Sequence, residues 1–252
     1  MVTHAPKFIA TCALLTVATA TFGMQNQCTA SSGPLVTPVL ELYTSEGCSS
    51  CPPADKWASA FKGKDVVVQA FHVSYWDYIG WVDRFAAPAH TTRQNEVAGR
   101  NRLRNIYTPQ VVVNGRDWPQ WRGAEQRISG QKEAARIRIE LRQLAADQFE
   151  ATVTPANVVA PVPAWAAYWT VTEHGHNSKV KAGENAGEFL KHDFVVRQYT
   201  QAGDYRNADV TPKKLGFRSI AATPGHARQV NLVVFEPQGG KTLQALSLQC
   251  AG

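Results

Sequence analysis

Charge is scarce in this chain. Asp, Glu, Lys and Arg make up 18% of its 252 residues, and the formal net charge of +6 is small and scattered. There is no polybasic arm and no acidic tail, so no nucleic-acid partner is expected. Its densest basic group, Arg93, Arg100, Arg102 and Arg104, is interleaved with Gln, Asn and Gly and reads as a solvated helix face. Long apolar runs are lacking as well. Beyond the N-terminal segment no stretch approaches the roughly 20 residues that cross a bilayer. The one glycine-rich loop, Gly183 to Gly187, does not lead from a strand into a helix in the nucleotide-binding manner, and no cofactor is expected. Cysteine is sparse at five. Cys48 and Cys51 form the single close pair, and a zinc ribbon would need a second, so the expected metal complement is none.

What is present begins with a targeting pattern. Lys7 precedes an uncharged, mostly apolar or small stretch from Phe8 to Phe22, and Ala18-Thr19-Ala20 offers a small-x-small cleavage site. Residues 1–20 read as a signal peptide and 21–35 as a polar leader, which makes the protein periplasmic or secreted, without a membrane span after cleavage. Cys28-Thr29-Ala30 would also permit cleavage. In an oxidising compartment disulfides persist. With Cys48 and Cys51 assigned to each other, Cys28 and Cys250 remain as a second pair. Cleavage after Ala30 would discard Cys28, and a buried free thiol at either position is the plainer alternative.

The chain is organised around Thr44 to Asp55. Val39 to Tyr43 is a short strand-like run, and Ala54, Trp57, Ala58 and Phe61 recur at helical spacing before Gly63. Cys48 and Cys51 thus fall on a strand-to-helix turn, where Pro52 and Pro53 suit a first helical turn. Two thiols three apart there can close a small disulfide, and the positive helix end favours the thiolate of the first. Cys48 is accordingly expected to be the more exposed and more acidic thiol. Asp65 to Val73 follows as a buried strand. His72 on it is a core residue, a proton shuttle or a third metal ligand. Ser74 to Phe85 is an aromatic loop holding Tyr75, Trp76, Asp77, Tyr78 and Trp81, and Pro88 to Asn105 is a polar helix. Tyr107 to Gly115 is a strand entered through Thr108-Pro109 and closed by an Asn114-Gly115 hairpin turn. Ala134, Ile137, Leu141 and Leu144 then mark a helix ending near Ala146. From Asp147 the pattern alternates in period two, through runs near 149–154, 165–172, 194–199, 215–221, 230–235 and 243–248, as in an antiparallel sandwich. His174-Gly175-His176 reads as a solvated turn.

The order of these elements resembles the thioredoxin fold over roughly Pro38 to Ala146. Glu41 to Asp55, Phe71 to Trp81 and Tyr107 to Gly115 are, more closely, similar to a family of exported bacterial thioredoxin-like proteins that carries a domain-of-unknown-function label. The resemblance implies a cis Thr108-Pro109 bond facing the dithiol, with Thr108 offering its backbone to an extended substrate. Gly47 stands where thioredoxin has Trp, and Ser49-Ser50 replaces its Gly-Pro. The expected fold is an α/β thioredoxin-like domain (36–146) followed by an antiparallel β-sandwich-type domain (147–252).

The expected function is that of an exported thiol–disulfide oxidoreductase acting on protein thiols and disulfides. Cys48 attacks, Cys51 resolves, Pro109 and Thr108 position the partner, and Tyr75 and Trp76 form a contact rim. Two other readings use the same cysteines: a soft-metal (copper) binding or delivery protein, and a non-catalytic binding module with a structural 48–51 disulfide.

Overall fold

The computed structural model describes residues 1–2, 28–130, 132–156, 162, 164–206 and 211–250. Residues 3–20 of the expected signal segment and the cleavage site after Ala20 lie outside them. In chain order the elements are β1 (Thr29–Ser31), β2 (Val39–Thr44), α1 (Pro52–Ser59), β3 (Val67–His72), a 3-10 helix (Ser74–Ile79), α2 (Pro88–Arg100), β4 (Gln110–Val113), β5 (Arg116–Asp117) and α3 (Glu125–Ser129). They continue as β6 (Ile137–Ala145), β7 (Gln148–Pro155), β8 (Ala164–Glu173), β9 (His176–Lys179), β10 (Phe189–His192), β11 (Val195–Arg206), β12 (Lys213–Arg218), β13 (Arg228–Phe235) and β14 (Thr242–Leu248).

Strand dominates. Eight strands form one mixed sheet in the order β14-β13-β8-β11-β3-β2-β4-β5, four form β1-β6-β7-β12, and β9 pairs with β10. Parallel pairing joins β2 to β3, and again β3 to β11, where Val195 stands opposite Ala70. Strands from both sides of residue 146 therefore share one hydrogen-bonded layer.

Residue alternation sorts what each face covers, because successive side chains of a strand point to opposite sides. Leu40 and Leu42 of β2, Val68 of β3, and Val111 and Val113 of β4 pack under Ala54, Trp57, Ala58 and Phe61 and under Ile128 of α3. Tyr43, Phe71 and Val112 point the other way, where Val97 of α2 meets them. Further along the sheet, Trp169, Val171, Leu232 and Val234 face Ile139, Leu141, Phe149, Val153 and Phe217 of the four-stranded sheet. Burying each such large side chain contributes roughly 1.5–3 kcal/mol.

Two expectations fail here. The stretch read as a helix through Ala134, Ile137, Leu141 and Leu144 is β6, paired antiparallel with β7. Ile137 and Leu141 are common to the helical spacing and to the alternating set Ile137, Ile139, Leu141, which is fully buried between exposed neighbours. The sheet's need for a covering face decided between them. Arg93 is not solvated either. It is buried and donates to both oxygens of Glu41 at 2.9 and 2.7 Å, with its guanidinium 3.9 Å from the centre of the Tyr168 ring. Arg102 and Arg104 do lie in solvent.

Cys28 and Cys250 are disulfide-bonded, with Cα atoms 5.7 Å apart. The bridge ties the segment before β1 to the end of β14.

Candidate functional site

Cys48 and Cys51 are disulfide-bonded with Cα atoms 5.4 Å apart, on the turn between β2 and α1. Cys51 is the N-cap residue, and its carbonyl accepts from Ala54 N–H at 2.8 Å and Asp55 N–H at 3.1 Å. Pro52 and Pro53 sit where no helical N–H is needed. The expected exposure of Cys48 is not found: the two cysteines are 1% and 0% exposed, while Ser49 and Ser50 between them are on the surface.

Their cover comes from two other segments. The Asn185 side-chain amide, itself buried, donates to the carbonyls of Glu46 at 2.8 Å and Cys48 at 3.0 Å. Beside it, Glu184 accepts from Ser49 N–H at 3.0 Å. On the other side the 3-10 helix presses on Gly47, where an added Cβ would meet the Cβ of Trp76 at 3.0 Å. A side chain at position 47 would require the 3-10 helix to give by a few tenths of an ångström.

Thr108–Pro109 is cis, as the resemblance implied. Trp76 links it to the dithiol turn, since its indole N–H donates to Thr108 Oγ1 at 2.8 Å. Tyr75 and Trp76 are half-buried and Tyr78 is exposed. Trp81 turns inward and donates to Glu46 Oε2 at 2.7 Å.

Behind the disulfide lies a set of buried ionisable groups: Glu46, Asp55, His72, Asp83 and His192. His72, the last residue of β3, holds Asp83 through Nδ1 at 2.7 Å, and the same Asp83 oxygen accepts from Glu46 N–H at 2.9 Å. Asp77, named with His72 from the sequence, instead accepts Asp83 N–H at 3.2 Å. His192, at the end of β10, stands 3.3 Å from Glu46 Oε1 and 3.8 Å from Asp55 Oδ1. Thr44 donates its hydroxyl to the other Asp55 oxygen at 2.8 Å. Burial works against charge on His192, but Asp55 and Glu46 outweigh it and lift the imidazole to about 9. Burial likewise opposes the Asp83 carboxylate, and the His72 contact with two backbone N–H donors brings it down to about 2. His192, Asp55 and Asn185 escaped the sequence reading.

His176 is no solvated turn. It is buried, bonded to Glu173 at 2.8 Å and stacked on His226 at 3.8 Å between ring centres.

The fold and the site define a mostly β protein of mixed sheets with a buried Cys-x-x-Cys disulfide at a strand-to-helix turn. The chain belongs to the family described as protein of unknown function DUF1223, which matches residues 39–235. It is similar to a protein of known crystal structure from Agrobacterium tumefaciens, at 25% identity over 86% of this chain and 96% of that one, with a TM-score of 0.63. HBP35 of Porphyromonas gingivalis shares the fold at 14% identity and a TM-score of 0.57, over 85% of this chain and 75% of that one. No curated protein matches.

Proposed function

We propose that the protein is an exported thiol–disulfide oxidoreductase built on a thioredoxin-like α/β unit, and that the structure represents its oxidised form. One observation carries this reading: the Cys48–Cys51 bond closes at the N-terminus of α1, where the positive end of the helix dipole favours a thiolate. Reduced, Cys48 thiolate attacks a partner disulfide, forms a mixed disulfide and releases one partner thiolate. Cys51 thiolate then attacks Cys48 Sγ, re-forms the 48–51 bond and releases the second. Two electrons pass from the dithiol to the partner, and the reverse sequence oxidises a dithiol partner. Thr108, Pro109, Tyr75 and Trp76 form the partner's contact surface. Two disulfides suit a periplasmic or secreted protein. Among the described residues no helix is long and apolar enough to cross a membrane.

A second reading, a structural bridge in a binding module, draws on the burial of both cysteines. The reduction potential of the 48–51 pair separates the two. A value between about −120 and −270 mV supports the oxidoreductase, and one below about −300 mV supports the structural bridge. Cys51→Ser is expected to trap mixed disulfides through Cys48, and Cys48→Ser is not. Equal trapping by both variants, or by neither, removes the assignment of roles.

A further inference from the structure

We propose that Asp55, His72 and His192 form a buried site for a divalent transition-metal cation of the zinc class. A carboxylate oxygen and two imidazole nitrogens from these residues lie within 4.8 Å of one another. They come from three separate elements, α1, β3 and β10, which meet behind the disulfide.

The hydrogen bonding points the same way. An ionised Asp83 can only accept, so His72 donates to it through Nδ1–H, and Nε2 is the ring nitrogen left to face Asp55 and His192. Nε2 is fully buried and has no hydrogen-bond partner. The ring nitrogens of His192 face only the Glu46 and Asp55 carboxylates, at 3.3 and 3.8 Å, and the imidazole would release a proton when a cation takes its place. A histidine whose one nitrogen is tied to a carboxylate while the other faces an empty buried position has the outer-shell arrangement of a metal ligand. Asp55 is oriented similarly by Thr44 Oγ1.

Charge balance adds an independent argument. Glu46, Asp55 and Asp83 place three buried carboxylates around this point. Among the described residues their ion-pair partners are His72 and His192, with no lysine or arginine. A buried excess of negative charge calls for a cation. Nitrogen and carboxylate donors suit zinc and its neighbours better than calcium or copper(I). Tetrahedral coordination needs donor separations of about 3.3 Å, so the three ligand atoms would draw together on binding. A cleft of about 420 Å³ between α1 and β10, lined by Asp55 and His192, gives an entry path and room for a water as fourth ligand.

This site stands apart from the dithiol chemistry, and its test keeps the two separate. The full-length protein is oxidised first, so that neither cysteine can offer a thiolate, and is then titrated with Zn²⁺ and with Co²⁺. The expected result is one-to-one binding, with a cobalt spectrum free of thiolate charge transfer. His72→Ala and His192→Ala should each weaken binding at least tenfold. Asp83→Asn should weaken it about 10–100-fold through His72, and the Cys48→Ser, Cys51→Ser double variant should bind like the unmodified chain. Zinc-edge X-ray absorption of the unmodified protein gives the ligand set without any variant, and two imidazoles with oxygen and no sulfur are expected. Failure of the oxidised protein to bind either ion, sulfur in the ligand shell, or binding indifferent to both histidine substitutions overturns the proposal.

Discussion

The Asn185 side-chain amide donates to the carbonyls of Glu46 and Cys48 across 139 and 137 residues of sequence. The turn that carries the disulfide is thus held from the far half of the chain. The loop in which Asn185 stands is one of the two segments that cover the sulfurs.

Removing that clamp is predicted to open the site. Asn185→Ala loses two hydrogen bonds to buried carbonyls and should lower stability by about 1–3 kcal/mol. The 48–51 disulfide should then be reduced by dithiothreitol several-fold faster, as followed by thiol alkylation and mass spectrometry. An unchanged reduction rate in a correctly folded variant would show that the loop does not control access.

Gly115 closes the hairpin between β4 and β5, after Asn114, with both residues at positive φ of 79° and 49°. A Cβ on Gly115 would stand 1.9 Å from the Gly240 carbonyl oxygen. Gly63 also has positive φ, 74°, but open space around it. We predict that Gly63→Ala costs only the left-handed penalty of roughly 1–2 kcal/mol, and that Gly115→Ala costs clearly more. Urea denaturation of both variants checks the ranking; equal losses would refute it.

The hairpin turn, the dithiol turn and both disulfides were legible in the sequence because each depends on residues close together or on counting cysteines. Distant partners were not. Glu41 is 52 residues from Arg93, so the arginine looked like part of a solvated face. His192 sits on β10, a short strand that no periodic pattern announced, and it meets Asp55 only after that strand docks against α1. Asn185 lay in a glycine-rich loop with no local feature to connect it to Cys48. At β6 the difficulty was different: Ile137 and Leu141 fit both periods, and only the pairing with β7 resolved it.

The Glu41–Arg93 pair predicts an asymmetric mutational response. Arg93→Met leaves a buried carboxylate uncompensated and should cost about 3–5 kcal/mol. Adding Glu41→Leu to Arg93→Met removes the stranded charge and should restore a large part of that loss. Denaturation midpoints of the single and double variants test this. A double variant less stable than Arg93→Met would contradict it.

His90 sets a pH dependence. Burial holds its imidazole down at about 4, against about 6.5 for an unfolded chain. With the folded value depressed, the stabilisation is complete above 6.5 and is lost as pH falls from there toward 4. The expected loss is about 3 kcal/mol. A stability profile for His90→Gln should therefore be flatter than that of the unmodified protein by about this amount between pH 7 and pH 4. Parallel profiles would rule His90 out as the source.

Cys28 and Cys250 are joined across 222 residues, so nearly all of the folded chain lies inside one covalent ring. A protease that severs a single peptide bond within the ring releases nothing. The nicked molecule keeps both pieces tethered and differs from the intact one by a single added water. By size, damage of that kind is silent until a reductant opens the bridge, and the pieces separate only after reduction.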